Sequence, residues 1–154
     1  MANTYSQIYI QLVFGVRGKG NSLPVRHKEE LHSYISAICA NRKTKLYSMN
    51  TLHDHTHILI SLKPSISLSD LVKDIKVQSS IMMKEKRWVL PSFRWQDGFG
   101  AFSYGQSQLQ DVIKYIENQE EHHQQITYRE EYLMLLRKFE VEFDIKYAFD
   151  DDQE

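Results

Sequence analysis

Leu52-His53-Asp54-His55-Thr56-His57-Ile58-Leu59-Ile60 is the stretch on which the fold turns. Ile58, Leu59, Ile60 and Leu62 are apolar, and Lys63-Pro64-Ser65 ends the run, the signature of a β-strand. Alternation along a strand puts His55 and His57 on one face and Ile58 and Ile60 on the other. Two imidazoles held that way can share one divalent ion. His53 has the same parity and extends the row. A polar strand face with hydrogen-bonded histidines explains a bare His-x-His equally well, so the pair gains meaning only from a second feature elsewhere.

Around that strand the chain alternates between strand and helix patterns. Lys45 to Leu52 reads as a strand forming an antiparallel hairpin with the histidine strand. Ser6 to Val16 reads as the first strand, with Ile8, Ile10, Leu12, Phe14 and Val16 on one face and Tyr9, Gln11 and Val13 on the other. Pro24 opens a helix whose stripe is Leu31, Tyr34, Ile35 and Ile38. Ser67-Leu68-Ser69-Asp70 caps a second helix through Leu71, Val72, Ile75, Ser79 and Met82 or Met83. Phe93-Arg94-Trp95 and Phe99 to Ser103 read as short strands around an Asp97-Gly98 turn. Ser107 to Gln110 reads as the capping box of a third helix, with Leu109, Val112, Ile113 and Ile116 as its stripe. A last helix starts at Thr127 and carries Tyr132, Leu133, Leu135, Leu136 and Phe139.

This order predicts an α+β protein: a ferredoxin-like (RRM-like) split β-α-β antiparallel sheet with helices on one face. The third and last helices are appended, and one carries Tyr115. His55 and His57 are expected on the bare face. At 154 residues the chain reads as a single domain, 1–154, with an acidic tail from about 148 that is expected to be flexible. A lone cysteine, Cys39, rules out an intrachain disulfide framework and points to a reducing cytoplasm. No apolar run is long enough to span a bilayer.

The formal net charge of −1 argues against sequence-blind binding of nucleic acid through bulk positive charge. Acid is concentrated at the end, however, in Glu140, Glu142, Asp144, Asp150, Asp151, Asp152 and Glu154. The remaining body is mildly basic, and Arg17, Lys19, Lys73 and Lys76 are among the cations that can form local phosphate-contacting patches.

The second feature is on the third helix, whose apolar stripe is complete without Tyr115. Tyr115 and Gln119 are four apart and share a flank with Asn118 and His122. A phenol with a pKa of about 10 is a poor nucleophile unless its target is activated. A divalent ion on His55 and His57 would activate a phosphodiester, and Gln119 offers a third, oxygen ligand. That neutral, incomplete shell leaves room for phosphate and water and suits Mg²⁺ or Mn²⁺.

These residues resemble the His-hydrophobic-His nucleases of single-stranded DNA, and among them the small single-tyrosine, IS200-like transposases of bacterial insertion sequences. The likeness runs through Ile10-Gln11-Leu12-Val13-Phe14, Asp54 to Leu59, Lys76, Ser79-Ser80, Trp95 to Ser103, Tyr115-Ile116-Glu117-Asn118-Gln119 and Glu121-His122-His123. It implies that Tyr115 attacks a DNA phosphate to give a 5′-phosphotyrosine and a free 3′-hydroxyl, and that His55, His57 and Gln119 bind the metal. It also implies hairpin-bearing single-stranded DNA as partner, a homodimer, no nucleotide cofactor and a place at the bacterial nucleoid. Gly98, Gly100 and Gly105 would lend mobility to the tyrosine helix. Thr56 departs from the family's apolar middle residue, so its hydroxyl must find a partner beneath the strand. Two other readings compete: a hairpin-binding relative without cleavage, and a metal-dependent hydrolase using His53, His55 and His57.

Overall fold

The architecture is that of a computed structural model, which describes residues 3–18 and 20–149. Lys19 and the acidic residues from Asp150 onward lie outside the described residues. Strand β1 (Tyr9–Arg17) is central. It pairs antiparallel with β3 (His55–Ser61), which in turn pairs antiparallel with β2 (Lys45–Thr51). On its other edge β1 pairs with β4 (Arg94–Trp95) and β5 (Gly100–Tyr104), giving the order β2-β3-β1-β4 with β5 also on β1. The two short strands do not form a hairpin with each other. They follow one another along the same edge, β4 against Val16 and Arg17, β5 against Tyr9 to Val13.

Helices α1 (Lys28–Asn41) and α2 (Leu68–Glu85) cover one face. Leu12, Phe14, Ile58 and Ile60 from the sheet meet Leu31, Ile35 and Ile38 of α1 and Leu71, Val72 and Ile75 of α2. Each such side chain contributes about 1.5–3 kcal/mol by leaving water, so this layer dominates stability. Ser67 caps α2 by accepting from the Asp70 amide at 3.2 Å.

The expectation of helices on one face alone is corrected by the second layer. Helices α3 (Leu109–Glu117), α4 (Gln119–His122) and α5 (Tyr128–Lys138) belong to the opposite face. Tyr9 and Leu59 pack with Leu109, Val112 and Ile116 of α3, and Val13 and Phe102 with Tyr132, Leu135 and Leu136 of α5. The face that carries the histidines is therefore not bare. A four-residue helix, α6 (Ile145–Ala148), follows.

Two local details differ from the sequence patterns. The Gln108 side chain accepts from the Gly105 amide at 3.0 Å, so the cap of the third helical segment starts two residues before Ser107. The helix carrying Tyr115 also breaks at Asn118, whose φ of −95° and ψ of 22° leave the helical range. Asn50 of β2 explains the break, because its amide takes the Ile116 carbonyl at 2.9 Å and approaches the Glu117 carbonyl at 3.4 Å. Gly100 is a packing glycine: a Cβ there would lie 3.0 Å from the Phe102 ring and 3.3 Å from that of Tyr132.

Candidate metal centre and nucleophile

Strand β3 delivers both imidazoles to the α3–α5 side, where His55 and His57 are fully buried. Val13 stands opposite His57, and Gly15 opposite His55, so β1 fixes their spacing. Gln119 is also fully buried, and its Oε1 lies 3.2 Å from His55 Nε2. Tyr115 comes from the same chain, its ring centroid 5.9 Å from that of His57. The structure thus brings His55, His57, Gln119 and Tyr115 together in one protomer.

The centre of this group is a carboxylate. Glu131 of α5 is 1% exposed. Its Oε1 lies 2.9 Å from His57 Nε2, 3.0 Å from His123 Nε2 and 3.4 Å from His55 Nε2. Its Oε2 accepts the Tyr115 hydroxyl and, at 3.0 Å, the Gln119 amide, with His122 Nε2 at 3.3 Å. One carboxylate therefore faces the imidazoles with one oxygen and the phenol with the other.

Charge follows from these contacts. Burial would raise the Glu131 pKa, but hydrogen bonds to His123, His55 and His57 overcome it and hold the carboxyl far below its usual range. Burial would lower that of His55, but the Asp54 and Glu131 carboxylates outweigh it and lift it to about 9. His57 is lowered by its complete burial, which outweighs Glu131. The Tyr115 phenol is pushed well above 10 by burial and by the adjacent Glu131 charge, so it is protonated at neutral pH.

His55, His57, His123 and Glu131 offer donor atoms that all lie within 4.8 Å of one another. This set can hold a metal. A ligating imidazole binds through one nitrogen while the other is fixed by a partner. His55 Nδ1 lies 2.7 Å from Asp54 Oδ1, which accepts its N–H, whereas His57 Nδ1 accepts from the Gln11 amide at 2.9 Å. Tyr128 lies parallel over His55 and donates to Gln96 Oε1 at 2.7 Å, which also accepts from the Gly15 amide at 2.6 Å.

Other candidates are not in the cluster. The His53 side chain is 76% exposed and faces Asp54, so the three-histidine hydrolase site lacks its third ligand. Lys76 donates to the Gln96 and Gly98 carbonyls at 2.7 Å and secures that loop. Arg17 pairs with Asp97 at 3.2 Å, and Lys73 is exposed on α2, in the other layer. Thr56 donates to the Asn50 carbonyl at 3.0 Å and lies 3.1 Å from Thr51 Oγ1, so its hydroxyl is partnered.

The sequence patterns single out neither Glu131 nor Tyr128, and they hold Asp54 and His123 only within the stretches that carry the family resemblance. A signal for Glu131 existed: Tyr128, Glu131, Tyr132 and Leu135 follow i, i+3, i+4, i+7 spacing. An acid on an apolar stripe requires a buried partner.

Fold and site define an α+β protein with a metal-competent imidazole and carboxylate cluster touching a buried tyrosine. Residues 4–119 match the family model described as "Transposase IS200 like", and the chain belongs to that family. It is 25% identical over 120 residues to the ISDra2 transposase TnpA of Deinococcus radiodurans, across 73% of this chain and 84% of that one. Its fold is similar to that of a REP-associated tyrosine transposase solved with a REP hairpin, with a TM-score of 0.61, 17% identity, and coverage of 80% of this chain and 73% of that one. It is also similar to a candidate transposase from Deinococcus radiodurans R1, with a TM-score of 0.53, 18% identity, and coverage of 77% and 95%. Among the described residues no helix is long and apolar enough to cross a membrane.

Proposed function

We propose that this protein cuts and rejoins single-stranded DNA at hairpin-bearing element ends, with Tyr115 as nucleophile and a divalent metal, Mg²⁺ or Mn²⁺, on His55, His57 and Gln119. The observation that carries this reading is the convergence of the Tyr115 hydroxyl and the Gln119 amide on Glu131 Oε2, while Oε1 meets both motif imidazoles. The sheet order is compatible with a ferredoxin-like core to which the tyrosine helix is appended. The REP-hairpin complex of a similar fold supports a DNA hairpin as the recognised feature.

Glu131 accepts the phenol hydrogen and aims the Tyr115 oxygen. Burial and the anion beside it keep that oxygen protonated in the resting state. A bound divalent cation would polarise a phosphate oxygen and offset the Glu131 charge. Tyr115 Oη then bonds to phosphorus, the P–O3′ bond breaks, and the phenol proton is released as the 3′-oxygen leaves as a hydroxyl. Attack by a different 3′-hydroxyl on the phosphotyrosine reverses the step, so the bond energy is conserved without a nucleotide. Lys73, exposed on α2, Arg17 at the end of β1 and Lys76, which holds the Gln96 and Gly98 carbonyls, are proposed DNA-backbone contacts. A homodimer in the cytoplasm, at the nucleoid, is the setting the family resemblance implies.

The test is incubation of the full chain with a labelled, hairpin-bearing oligonucleotide and Mn²⁺, followed by denaturing electrophoresis. A covalent adduct is expected, absent with Tyr115→Phe and His57→Ala. An adduct that persists in Tyr115→Phe would remove the nucleophile assignment. Hairpin binding without any adduct would favour a non-cleaving relative.

A further inference from the structure

We propose that the segment beyond residue 119 completes the metal site, with His123 Nε2 and Glu131 Oε1 binding the same first-row transition dication as His55 and His57. This rests on the reading above for the site's role in DNA chemistry, and adds two ligands to it. Both residues lie outside the 4–119 match.

Three Nε2 atoms surround Glu131 Oε1 at 2.9, 3.0 and 3.4 Å. Ligand atoms about 2.0–2.2 Å from one ion stand roughly 3.0–3.5 Å apart, so this spacing fits a shared cation. The outer support of His123 points the same way. Its Nδ1 lies 2.8 Å from the Ile126 carbonyl, an acceptor that fixes the proton on Nδ1 and leaves Nε2 as the free donor. His55 has the same arrangement with Asp54. A histidine serving only as a helix-end cation needs neither restraint nor convergence.

The donor set also selects the ion. Three imidazoles and one carboxylate, with the Gln119 oxygen at hand, suit Mn²⁺, Co²⁺, Ni²⁺ or Zn²⁺. Mg²⁺ prefers oxygen ligands and retains its waters. The anionic Glu131 and the preformed cluster mean that binding does not wait for DNA phosphate.

The test uses the chelator-stripped full chain without DNA, titrated calorimetrically with Mn²⁺, Co²⁺ and Mg²⁺. One site is expected, at least 100-fold tighter for Co²⁺ than for Mg²⁺. His123→Ala and Glu131→Gln should each weaken Co²⁺ at least tenfold, and His53→Ala should leave it unchanged. Because Glu131 is buried, a measurement on the unaltered chain accompanies these: pulsed EPR with Cu²⁺ should count three coordinated imidazoles. Two imidazoles, wild-type affinity in His123→Ala, or no stoichiometric binding would overturn the proposal. The Tyr115 adduct assay judges the transposase reading separately: adduct formation with a two-imidazole site keeps that reading and removes this one.

Discussion

Tyr128 lies flat on His55, ring centroids 4.4 Å apart and planes 13° from parallel. That stack exists because β1 has no side chain at Gly15. A Cβ there would stand 2.6 Å from Tyr128 Cε2 and 2.9 Å from the Asp54 carbonyl oxygen. Gly15→Ala should therefore push α5 off the sheet, cost about 1–3 kcal/mol as overpacking, and weaken metal binding. Gly98→Ala, which meets nothing within 4 Å, is the control. Thermal unfolding and metal titration of both variants check this, and equal behaviour would refute it.

Thr56→Val replaces the hydroxyl that reaches the Asn50 carbonyl with a methyl of similar volume. Loss of that hydrogen bond should lower stability by about 1 kcal/mol. Metal affinity should hold, because the side chain faces α1 through Thr51 and His32 rather than the cluster. A urea midpoint and a Co²⁺ titration separate the two effects; a fall in affinity would contradict the assigned face.

His32 supplies a pH dependence away from the cluster. Burial lowers its pKa from 6.5 to about 4, with Lys28 adding to the shift and Glu120 opposing it. Between those values native His32 is unprotonated, whereas the unfolded chain takes up a proton. Its contribution to stability is thus complete above pH 6.5 and is lost as pH falls toward 4. His32→Gln should show a shallower decline in melting temperature between pH 6.5 and 4.5. Parallel declines would rule His32 out as the source.

Cys39 is fully buried, and burial pushes its thiol up to about 11. Native protein should react negligibly with a thiol-disulfide reagent at pH 8, and one thiol per chain should appear in denaturant. Rapid native labelling would mean that α1 opens readily.

Strand parity was readable in the sequence because period-two burial leaves a mark in the residues themselves. Ile58 and Ile60 do enter the α1–α2 core, and His55 and His57 do point away from it. The stripes of α1, α2 and α3 were readable for the same reason, at period 3.6. What the pattern concealed was docking between distant segments. Nothing local announces that α5 folds back over β3, and the acid on its apolar stripe gains meaning only once His57 is its neighbour. The break at Asn118 was hidden likewise, since its cause is an asparagine on β2.

Gln96 joins two sides of the molecule. Its backbone carbonyl receives the α2 ammonium of Lys76, and its side chain receives the α5 phenol of Tyr128 that rests on His55. A change at Gln96 or Tyr128 breaks their side-chain bond, whereas a change at Lys76 frees the loop that holds Gln96, because that bond is to the backbone. In a lineage of related chains Gln96 and Tyr128 should drift as a pair, a replacement at one accompanied by a compensating replacement at the other, while Lys76 varies independently of the residue at 96.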